Sequence, residues 1–415
     1  MPNYVTEPSR RTEISSKVDV LVAGGGMAGT VAAVSAARAG AKVLLVERYG
    51  FLGGMATAGL VDTIPPVARG VGLEVERRMR EAGAIGTERA FWASWDPETI
   101  KKVCLDLAEE AGLDMLLHTL VVGVLGKGRK PTGIVVENKS GRRAILAKVI
   151  IDATGDGDVA SKAGAPYVFG DEKGKTLPMT LMFNLRNVDK SRAKKYLNPS
   201  IKDFLRTAIE QKEVDWSIGL GQYDGQPGVC AAPMVHEDEV TIWGGTIEGL
   251  NGVATEDLTK AERLARRHAS ILLSVLRRHA PGFEKATLAT TASQVGVRES
   301  RRILGEYYMT LQDAAEGKKF DDRVGYVEYG KWKYWVPYRM LVPKKVDSML
   351  VAGRCISAER ELMFRAGLRE IPASMVTGQA AGTAAALCAR FGTSPRRLSV
   401  PKLQEELAGQ AAVPA

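Results

Sequence analysis

The sequence predicts an α/β fold built on a Rossmann-like parallel sheet, and three observations favour it. Residues 18–47 run as an apolar strand, a helix of small residues and a second apolar strand, which is the pattern of a βαβ unit. Two further apolar runs, ending at Ala153 and near Gly353, stop at glycine-containing loops. The second of these runs is followed by a helix rich in alanine and glycine. Strands that alternate with helices in this way are typical of parallel sheets.

The turn between the first strand (18–23) and the first helix (27–39) has the spacing G-x-G-x-x-G, formed by Gly24, Gly26 and Gly29. At such a turn the first glycine permits the tight bend and the second lets a pyrophosphate approach the backbone. The third lets the helix pack closely against the strand. The spacing therefore predicts a dinucleotide site, and a purely structural glycine turn is the alternative.

Two neighbouring features support the dinucleotide interpretation. Met27 and Ala28 open the helix, where free N–H groups and the positive end of the helix dipole favour phosphate. Glu47 ends the second strand (42–47) about 20 residues further on, where a carboxylate accepts hydrogen bonds from ribose hydroxyls. The first strand, the helix, the second strand and Glu47 thus follow one another at the spacing of a dinucleotide-binding unit.

Three stretches, in order along the chain, resemble the FAD-binding fold of the glutathione-reductase type. The first continues from the second strand into Arg48 and then the glycine pair Gly53 and Gly54, followed by Met55. The resemblance implies a loop that follows the pyrophosphate toward the flavin. Residues 55–59 contain neither histidine nor cysteine, so we expect FAD to be held without a covalent bond.

The other two stretches are a loop that resembles the A-T-G return beneath the cofactor, and a strand and helix that resemble the C-terminal flavoprotein signature. The N-terminus of that helix is implied to face the O2/N1 edge of the flavin. A strand of the middle region is implied to lie against the adenine. The contacts implied by these resemblances are Ala153, Thr154, Gly155, Gly353, Arg354, Ala373, Ser374, Met375, Val121 and Val122.

The segments "VGVRESRRILGEYYMT", "FDDRVGYVEYG", "VPYRMLVP" and "VDSMLVAGRCISA" resemble the FAD-dependent oxidoreductase family. That family is related to fumarate-reductase-like and heterodisulfide-reductase flavoprotein-like proteins. The resemblance spans about residues 18–391 and implies an enzyme with bound FAD, without identifying its substrate. Glu359 stands where many relatives carry a histidine, so the role of that histidine does not transfer.

We expect a discontinuous FAD-binding domain with an inserted α+β substrate domain. The insert is predicted to contain a helix over residues 191–212 and a long helix that begins with Thr255 as its cap and stops at Pro281. The cleft between the lobes is the expected substrate site. The predicted limits are 18–65, 97–163 and 338–391 for the FAD domain, 164–335 for the insert, 1–17 for an N-terminal extension and 392–415 for a tail.

Three residues are candidates for catalysis. Arg298 offers a guanidinium group that binds a carboxylate in bidentate fashion or relays a proton near the flavin. Arg354 follows Gly353 in the cofactor motif and is expected to contact flavin or substrate. For Arg298, and for its neighbours at 301 and 302, salt bridges between the lobes are an equally good interpretation. His236 is a candidate acid or base, with a surface turn as the alternative. His268 is expected to face solvent, and Arg369 is expected to lie at the surface.

Composition narrows the classes of partner. The net charge is +9, but the basic residues are spread over helix faces, so we expect no nucleic-acid partner. We expect no membrane association, because no apolar run approaches the ~20 residues of a membrane span. The four cysteines lie far apart, so neither a metal site nor an iron–sulfur cluster is expected. A cytoplasmic location is expected, and the oligomeric state stays open, a homo-oligomer included.

The resemblance and the residues together predict an FAD-dependent oxidoreductase that transfers hydride between flavin N5 and a small anionic organic substrate. The alternatives are an electron-transfer subunit of a larger complex and, from the basic charge alone, a non-enzymatic RNA-binding or structural protein. Residues 218–228 hold the nearest candidate for a second dinucleotide motif, but Gln222, Tyr223 and Asp224 interrupt its small residues. We therefore expect no dedicated nicotinamide domain.

Overall fold

The computed structural model describes residues 5–67, 69–89, 92–127, 129–197, 208–212 and 229–413. The strands of these residues, in chain order, are β1 (Glu13–Ala23), β2 (Val43–Val46), β3 (Thr63–Ile64), β4 (Ile85–Arg89), β5 (Trp92–Trp95), β6 (Asp114–Leu116), β7 (Leu120–Lys127), β8 (Lys130–Asn138), β9 (Gly141–Asp152), β10 (Tyr167–Phe169), β11 (Met182–Arg186), β12 (Val229–Pro233), β13 (Val240–Gly244), β14 (Thr287–Thr291), β15 (Arg301–Ile303), β16 (Arg323–Tyr329), β17 (Trp332–Pro337) and β18 (Met349–Val351). The helices are α1 (Met27–Arg38), α2 (Gly70–Glu81), α3 (Pro97–Glu110), α4 (Asp158–Lys162), α5 (Lys190–Ala193), α6 (Thr255–His279), α7 (Leu311–Ala315), α8 (Arg360–Arg365), α9 (Ile371–Phe391) and α10 (Val400–Gly409).

The main sheet has the order β6-β2-β1-β9-β8-β7, with β18 paired to the end of β9. Strands β6, β2, β1, β9 and β18 are mutually parallel, whereas β7, β8 and β9 form an antiparallel meander. This parallel core confirms the predicted α/β, Rossmann-like class. Strand β1 begins at Glu13, so its first residues come from the segment that was predicted to be an extension.

Helices α1 and α9 pack against each other in close backbone contact. A methyl group added at Gly378 would lie 2.2 Å from the carbonyl oxygen of Ala28, and one at Gly382 would lie 2.1 Å from that of Ala32. The two helix backbones are therefore so close that only small residues fit between them. This contact holds the start of α1 beside Gly378, two turns into α9.

The inserted lobe contains a four-stranded antiparallel sheet with the order β12-β13-β11-β14. One face of this sheet packs against α6, through buried side chains such as Phe183, Ile242, Leu272 and Leu276. The opposite face carries Met182 and Trp243, which are directly paired across the strands. We call this four-stranded sheet the cap sheet.

Several predictions about the insert are wrong. Helix α6 begins at Thr255, but the cap position is Ala254 and no side chain caps the helix. His268 lies on the buried face of α6 and is 7% exposed, so it does not face solvent. The helix predicted over residues 191–212 is broken at Leu197, whose φ of −84° and ψ of 88° are not helical. Residues 198–207 lie outside the described part of the chain.

The packing of buried side chains bears on the domain limits. Ile303, Val327 and Tyr334 belong to the same core as the main sheet, although the predicted insert includes them. Leu403 and Leu407 of α10 join this core too. We therefore propose that the insert ends before β15 and that the C-terminal segment is part of the larger lobe. Among the residues that the structure describes, no helix is long and apolar enough to cross a membrane.

Candidate functional site

A cavity of about 1010 Å³ separates the main sheet from the cap sheet. It opens at the carboxyl ends of β1, β2, β9 and β18, which is where ligands bind in open parallel sheets. Its volume lies at the upper end of the roughly 300–1,000 Å³ typical of ligand pockets, so it suits a long ligand. Met182, Cys230, Ala231 and Trp243 cover it from the cap sheet.

The structure brings most of the predicted site residues together in this one cavity. Those that line it are Gly24, Gly26, Met27, Ala28, Glu47, Arg48, Gly53, Gly54, Met55, Ala153, Thr154, Gly155, Arg298, Gly353, Arg354 and Ser374.

Six predicted site residues do not line the cavity. Gly29 packs against the backbone of Gly24, and Ala373 and Met375 are buried inside α9. Val121 and Val122 lie on β7, in the part of the sheet that forms the antiparallel meander. His236 is 54% exposed on its side chain, and its Nε2 lies 3.9 Å from carboxylate oxygens of both Asp96 and Glu239. The contacts predicted for these residues therefore stay predictions.

The glycines of the first loop have separate roles. Gly24 has φ of +98°, and a methyl group there would lie 2.6 Å from the carbonyl oxygen of Ala153. A methyl group at Gly29 would lie 1.8 Å from the carbonyl oxygen of Gly24. At Gly26 the nearest atom to such a group is Cα of Gly54, 3.8 Å away. Gly24 and Gly29 are thus required by the fold, whereas Gly26 leaves open space beside the cavity.

Glu47 connects the first loop to the end of β2. Its carboxylate accepts hydrogen bonds from the N–H of Gly25 (2.6 Å) and from the N–H of Tyr49 (2.9 Å). The residue is 7% exposed and lines the cavity. A carboxylate has about four lone-pair positions, so acceptor capacity is left for ribose hydroxyls.

The A-T-G loop is organised by Asp152, which was not predicted as a site residue. Its Oδ1 accepts from the N–H (3.1 Å) and the hydroxyl (2.7 Å) of Thr154, and its Oδ2 accepts from the N–H of Ala160 (2.7 Å). Burial raises the pKa of the Asp152 carboxyl, while these donors lower it. The acidic residue immediately before Ala153-Thr154-Gly155 was the sequence signal for this role.

Arg354 is fixed at the cavity wall by two partners. Its Nη2 lies 2.6 Å from Oδ1 of Asp156, and its Nη1 donates to the hydroxyl of Ser300 at 2.9 Å. The ion pair with Asp156 compensates part of its positive charge. Gly353 precedes it with φ of +77°, which brings the backbone against Ala28.

Arg298 reaches the cavity from the other lobe. Its Nη1 donates to the carbonyl oxygen of Pro178 (2.8 Å) and to the hydroxyl of Thr180 (2.7 Å). The two neighbouring arginines form ion pairs with nearby carboxylates. Arg301 bonds the carboxylate of Asp158 at 2.8 Å, and Arg302 forms a buried ion pair with Glu299.

Sequence reasoning missed Arg369 as a cavity residue. It lines the cavity, lies 3.3 Å from the carboxylate of Glu370 and covers the ring of Phe364 at 5.1 Å. The prediction that it is a surface residue is wrong, since the turn before α9 directs it inward. Ile371 and Ser374 of the first turn of α9 also line the cavity, so the positive end of that helix dipole faces it.

Comparison with known proteins decides the family. The model of a family described as FAD dependent oxidoreductase matches residues 19–331 and 327–407. The chain belongs to this family. It is therefore an enzyme of the oxidoreductase class with FAD as its cofactor, as the sequence predicted. The open space at Gly26, the acceptor capacity of Glu47 and the helix N-terminus beside the cavity fit that cofactor.

Solved structures with the same fold include a reductase-like protein and a monooxygenase. A geranylgeranyl bacteriochlorophyll reductase-like protein of Thermoplasma acidophilum is 16% identical, with a TM-score of 0.54, and the match covers 96% of this chain and 84% of that one. A p-nitrophenol 4-monooxygenase of Pseudomonas putida DLL-E4 is 9% identical, with a TM-score of 0.50, and the match covers 96% and 85%. At these identities the likeness shows the fold alone.

Proposed function

We propose that this enzyme transfers a hydride between FAD and a small anionic organic substrate that binds in the cavity under the cap sheet. The observation that carries the proposal is the position of Arg298 on the cap side and Arg354 on the FAD side of one cavity. A guanidinium binds a carboxylate through two parallel hydrogen bonds, which fixes its orientation as well as its position.

The cofactor would be held without a covalent bond by groups already described. The N–H groups at the start of α1 and the open backbone at Gly26 suit the pyrophosphate, and Glu47 suits the ribose. The start of α9, near Ser374, suits the electron-rich edge of the flavin ring. Bound FAD would supply a two-electron acceptor or donor of hydride.

The two arginines would have different roles in substrate binding. Arg354 already shares its charge with Asp156, so it would act mainly by holding that end of the cavity rigid. Arg298 donates from Nη1 to the carbonyl oxygen of Pro178 and the hydroxyl of Thr180, and these bonds hold it at the cap side of the cavity. Because the substrate is proposed to bind on that side, we assign its carboxylate to Arg298.

Anaerobic mixing of the oxidised holoenzyme with a substrate panel tests the proposal. The panel pairs hydroxy acids, amino acids and saturated carboxylic acids with their uncharged methyl esters. We expect one class of acid, and not its ester, to bleach the flavin. Bleaching only by a reduced protein partner would favour the electron-transfer alternative and contradict the proposal.

The variant Arg298→Met tests the assigned role. Loss of a charge-assisted hydrogen bond costs about 1.5–3 kcal/mol, so we expect the KM for the acid to rise roughly tenfold to a hundredfold. Arg267→Met, at an exposed position of α6, is the matched control and should leave KM unchanged. An equal KM in wild type and Arg298→Met would contradict the assignment.

A further inference from the structure

A buried group of polar side chains lies next to the cavity, between the loop before β3 and the cap sheet. Asp62 is 0% exposed, and the residues on either side of it, Val61 and Thr63, both line the cavity. The side chains of Thr241 and Asn184, which are 0% and 2% exposed, lie beside its carboxyl group. We call Asp62, Asn184 and Thr241 the polar pocket.

The polar pocket is continuous with the cavity along one face of the cap sheet. Asn184 is paired with Thr241 across β11 and β13, and Met182 is paired with Trp243 two residues further along. Side chains two residues apart on a strand point to the same face of the sheet. Since Met182 and Trp243 line the cavity, Asn184 and Thr241 lie on the face that continues from it.

Four oxygen atoms of the polar pocket are buried with no partner in good hydrogen-bonding geometry among the described residues. They are both carboxyl oxygens of Asp62, Oδ1 of Asn184 and Oγ1 of Thr241. Buried polar groups nearly always have a partner, and ordered water supplies it where protein atoms do not. A pocket with several such atoms therefore suits bound water.

Among the residues that the structure describes, Asp62 forms no ion pair with a cation. Burial raises the pKa of its carboxyl well above the usual value, and the carboxylate of Glu239 raises it further, while Thr241 and Asn184 lower it. An isolated buried carboxylate is so costly that the group retains its proton instead. Asp62 is thus suited to be a neutral acid.

Polar groups continue from the pocket to the protein surface. Nδ2 of Asn184 donates to Oε1 of Glu239 at 3.1 Å, and Oε2 of Glu239 lies 3.9 Å from Nε2 of His236. His236 is half exposed, and Asp96 faces it at the same distance. Lys190 donates to the backbone carbonyls of residues 234 and 236, close to Glu239.

We propose that the polar pocket holds water, keeps Asp62 protonated and carries protons between the cavity and His236 at the surface. The proposal rests on the proposed function. When a substrate gives up a hydride from carbon to the oxidised cofactor, it also loses one proton, from oxygen, from nitrogen or, in a saturated acid, from the adjacent carbon. Asp62 takes that proton through water as its own proton leaves toward Glu239 and His236, so Asp62 stays neutral. Asp62 is a positioning residue, since it acts through water.

The variant Asp62→Asn tests the protonated acid without any substrate. In the unfolded chain an aspartate ionises above about pH 3.9, whereas the folded protein keeps Asp62 protonated. The folded wild type therefore loses stability relative to Asp62→Asn as the pH rises from about 4 toward the folded pKa. We expect the Tm difference, variant minus wild type, to grow over this range, in the apoprotein and the holoenzyme alike.

Two results would contradict the neutral acid. One is a Tm difference that does not change with pH. The other is stabilisation of the wild type, but not of Asp62→Asn, by sodium, potassium or calcium ions, which would make the pocket a cation site. Infrared spectra provide a separate readout: the carbonyl band of a protonated acid should be present in wild type at neutral pH and absent in Asp62→Asn. Asp321→Asn, at an exposed position, is the control and should keep the band.

Proton uptake tests the route itself. The holoenzyme is photoreduced with EDTA as electron donor in weakly buffered solution that contains a pH-indicator dye. We expect Asp62→Asn to slow the proton uptake about tenfold or more with the same final amplitude, and Asp321→Asn to match wild type. Unchanged uptake in Asp62→Asn would overturn the route. A protein that binds no flavin would contradict the proposed function, and the Tm test would still decide the state of Asp62.

Discussion

At the scale of single residues, Gly26 and Gly29 belong to one motif but have different physical roles. Gly26 has φ of −65° and ψ of 176°, which any residue adopts, and the nearest atom to an added methyl group is 3.8 Å away. We predict that Gly26→Ala folds with the wild-type Tm as apoprotein but binds FAD at least about tenfold more weakly. The reason is that the methyl group would occupy space needed by the pyrophosphate.

Titration of the apoprotein with FAD, followed by flavin fluorescence, measures this loss. Gly29→Ala is the matched comparison, and it should fail to fold or lose much of its Tm, because its methyl group would meet the carbonyl oxygen of Gly24 at 1.8 Å. Equal affinity for FAD in wild type and Gly26→Ala would contradict the placement of the pyrophosphate.

The residues that the sequence predicted well are those set by backbone requirements. Gly24, Gly29 and Gly53 occur at fixed spacings because the backbone needs them, so spacing alone reveals them. Arg369 was missed because its direction depends on the turn before α9 and on the ring of Phe364, which no local pattern encodes. Asp62 was missed for a similar reason, since only the cap sheet makes it buried.

At the scale of elements, apolar strands and helices of small residues were predictable, and their ends were less so. Residues 13–17 of β1 are mostly polar and exposed, yet they pair with the start of β9. Their strand conformation comes from backbone pairing, and hydrophobic periodicity does not report that pairing. In α6 the acidic residues of the first turn favour the positive end of the dipole, although Thr255 does not act as the cap.

The contact between α1 and α9 gives a prediction at the element scale. Gly378→Ala and Gly382→Ala would each place a methyl group within about 2.2 Å of a carbonyl oxygen of α1. Overpacking of this kind costs about 1–3 kcal/mol, so we expect both variants to have a lower Tm. Gly378→Ala should also weaken FAD binding, because it displaces Ala28, which lines the cavity.

Gly409→Ala in α10 is the control for these two variants, since no atom lies within 4 Å of its added methyl group. Alanine is the better helix former by up to about 1 kcal/mol, so this variant should keep or raise the Tm. A rise in Tm for Gly378→Ala as well would show that α1 and α9 separate without cost, contrary to the packing described above.

At the scale of the whole molecule, the order of the motifs predicts two lobes but does not fix their limits. The order of the three cofactor-binding motifs along the chain predicts that they flank an insert. Whether residues 303–336 join one core or the other depends on which surface they cover, and apolar periodicity is the same in both cases. The packing of Tyr334, whose hydroxyl donates to the carbonyl oxygen of Ala366 at 2.9 Å, is an example.

The arrangement of strands in the whole molecule also bears on whether a nicotinamide nucleotide supplies the electrons. Within the described residues, all parallel strand pairs belong to the main sheet, and the parallel strands β1, β2, β9 and β18 end at the one cavity. A dedicated nicotinamide domain would need a second strand–turn–helix unit with its own glycine loop. Residues 218–228, the nearest candidate in the sequence, lie outside the described residues, so the absence of such a domain stays a prediction.

We predict that NADH and NADPH reduce the bound flavin only slowly, at a rate that rises in proportion to their concentration. Without a site that aligns the nicotinamide with the flavin, each reduction depends on random collision, and the advantage of proximity is lost. Stopped-flow mixing of the oxidised holoenzyme with millimolar NADH or NADPH, without oxygen, measures the decay of the flavin's visible absorbance. The acid that bleaches the flavin in the substrate panel is the positive control, and its rate should saturate. Fast reduction that saturates with either nucleotide would contradict the prediction.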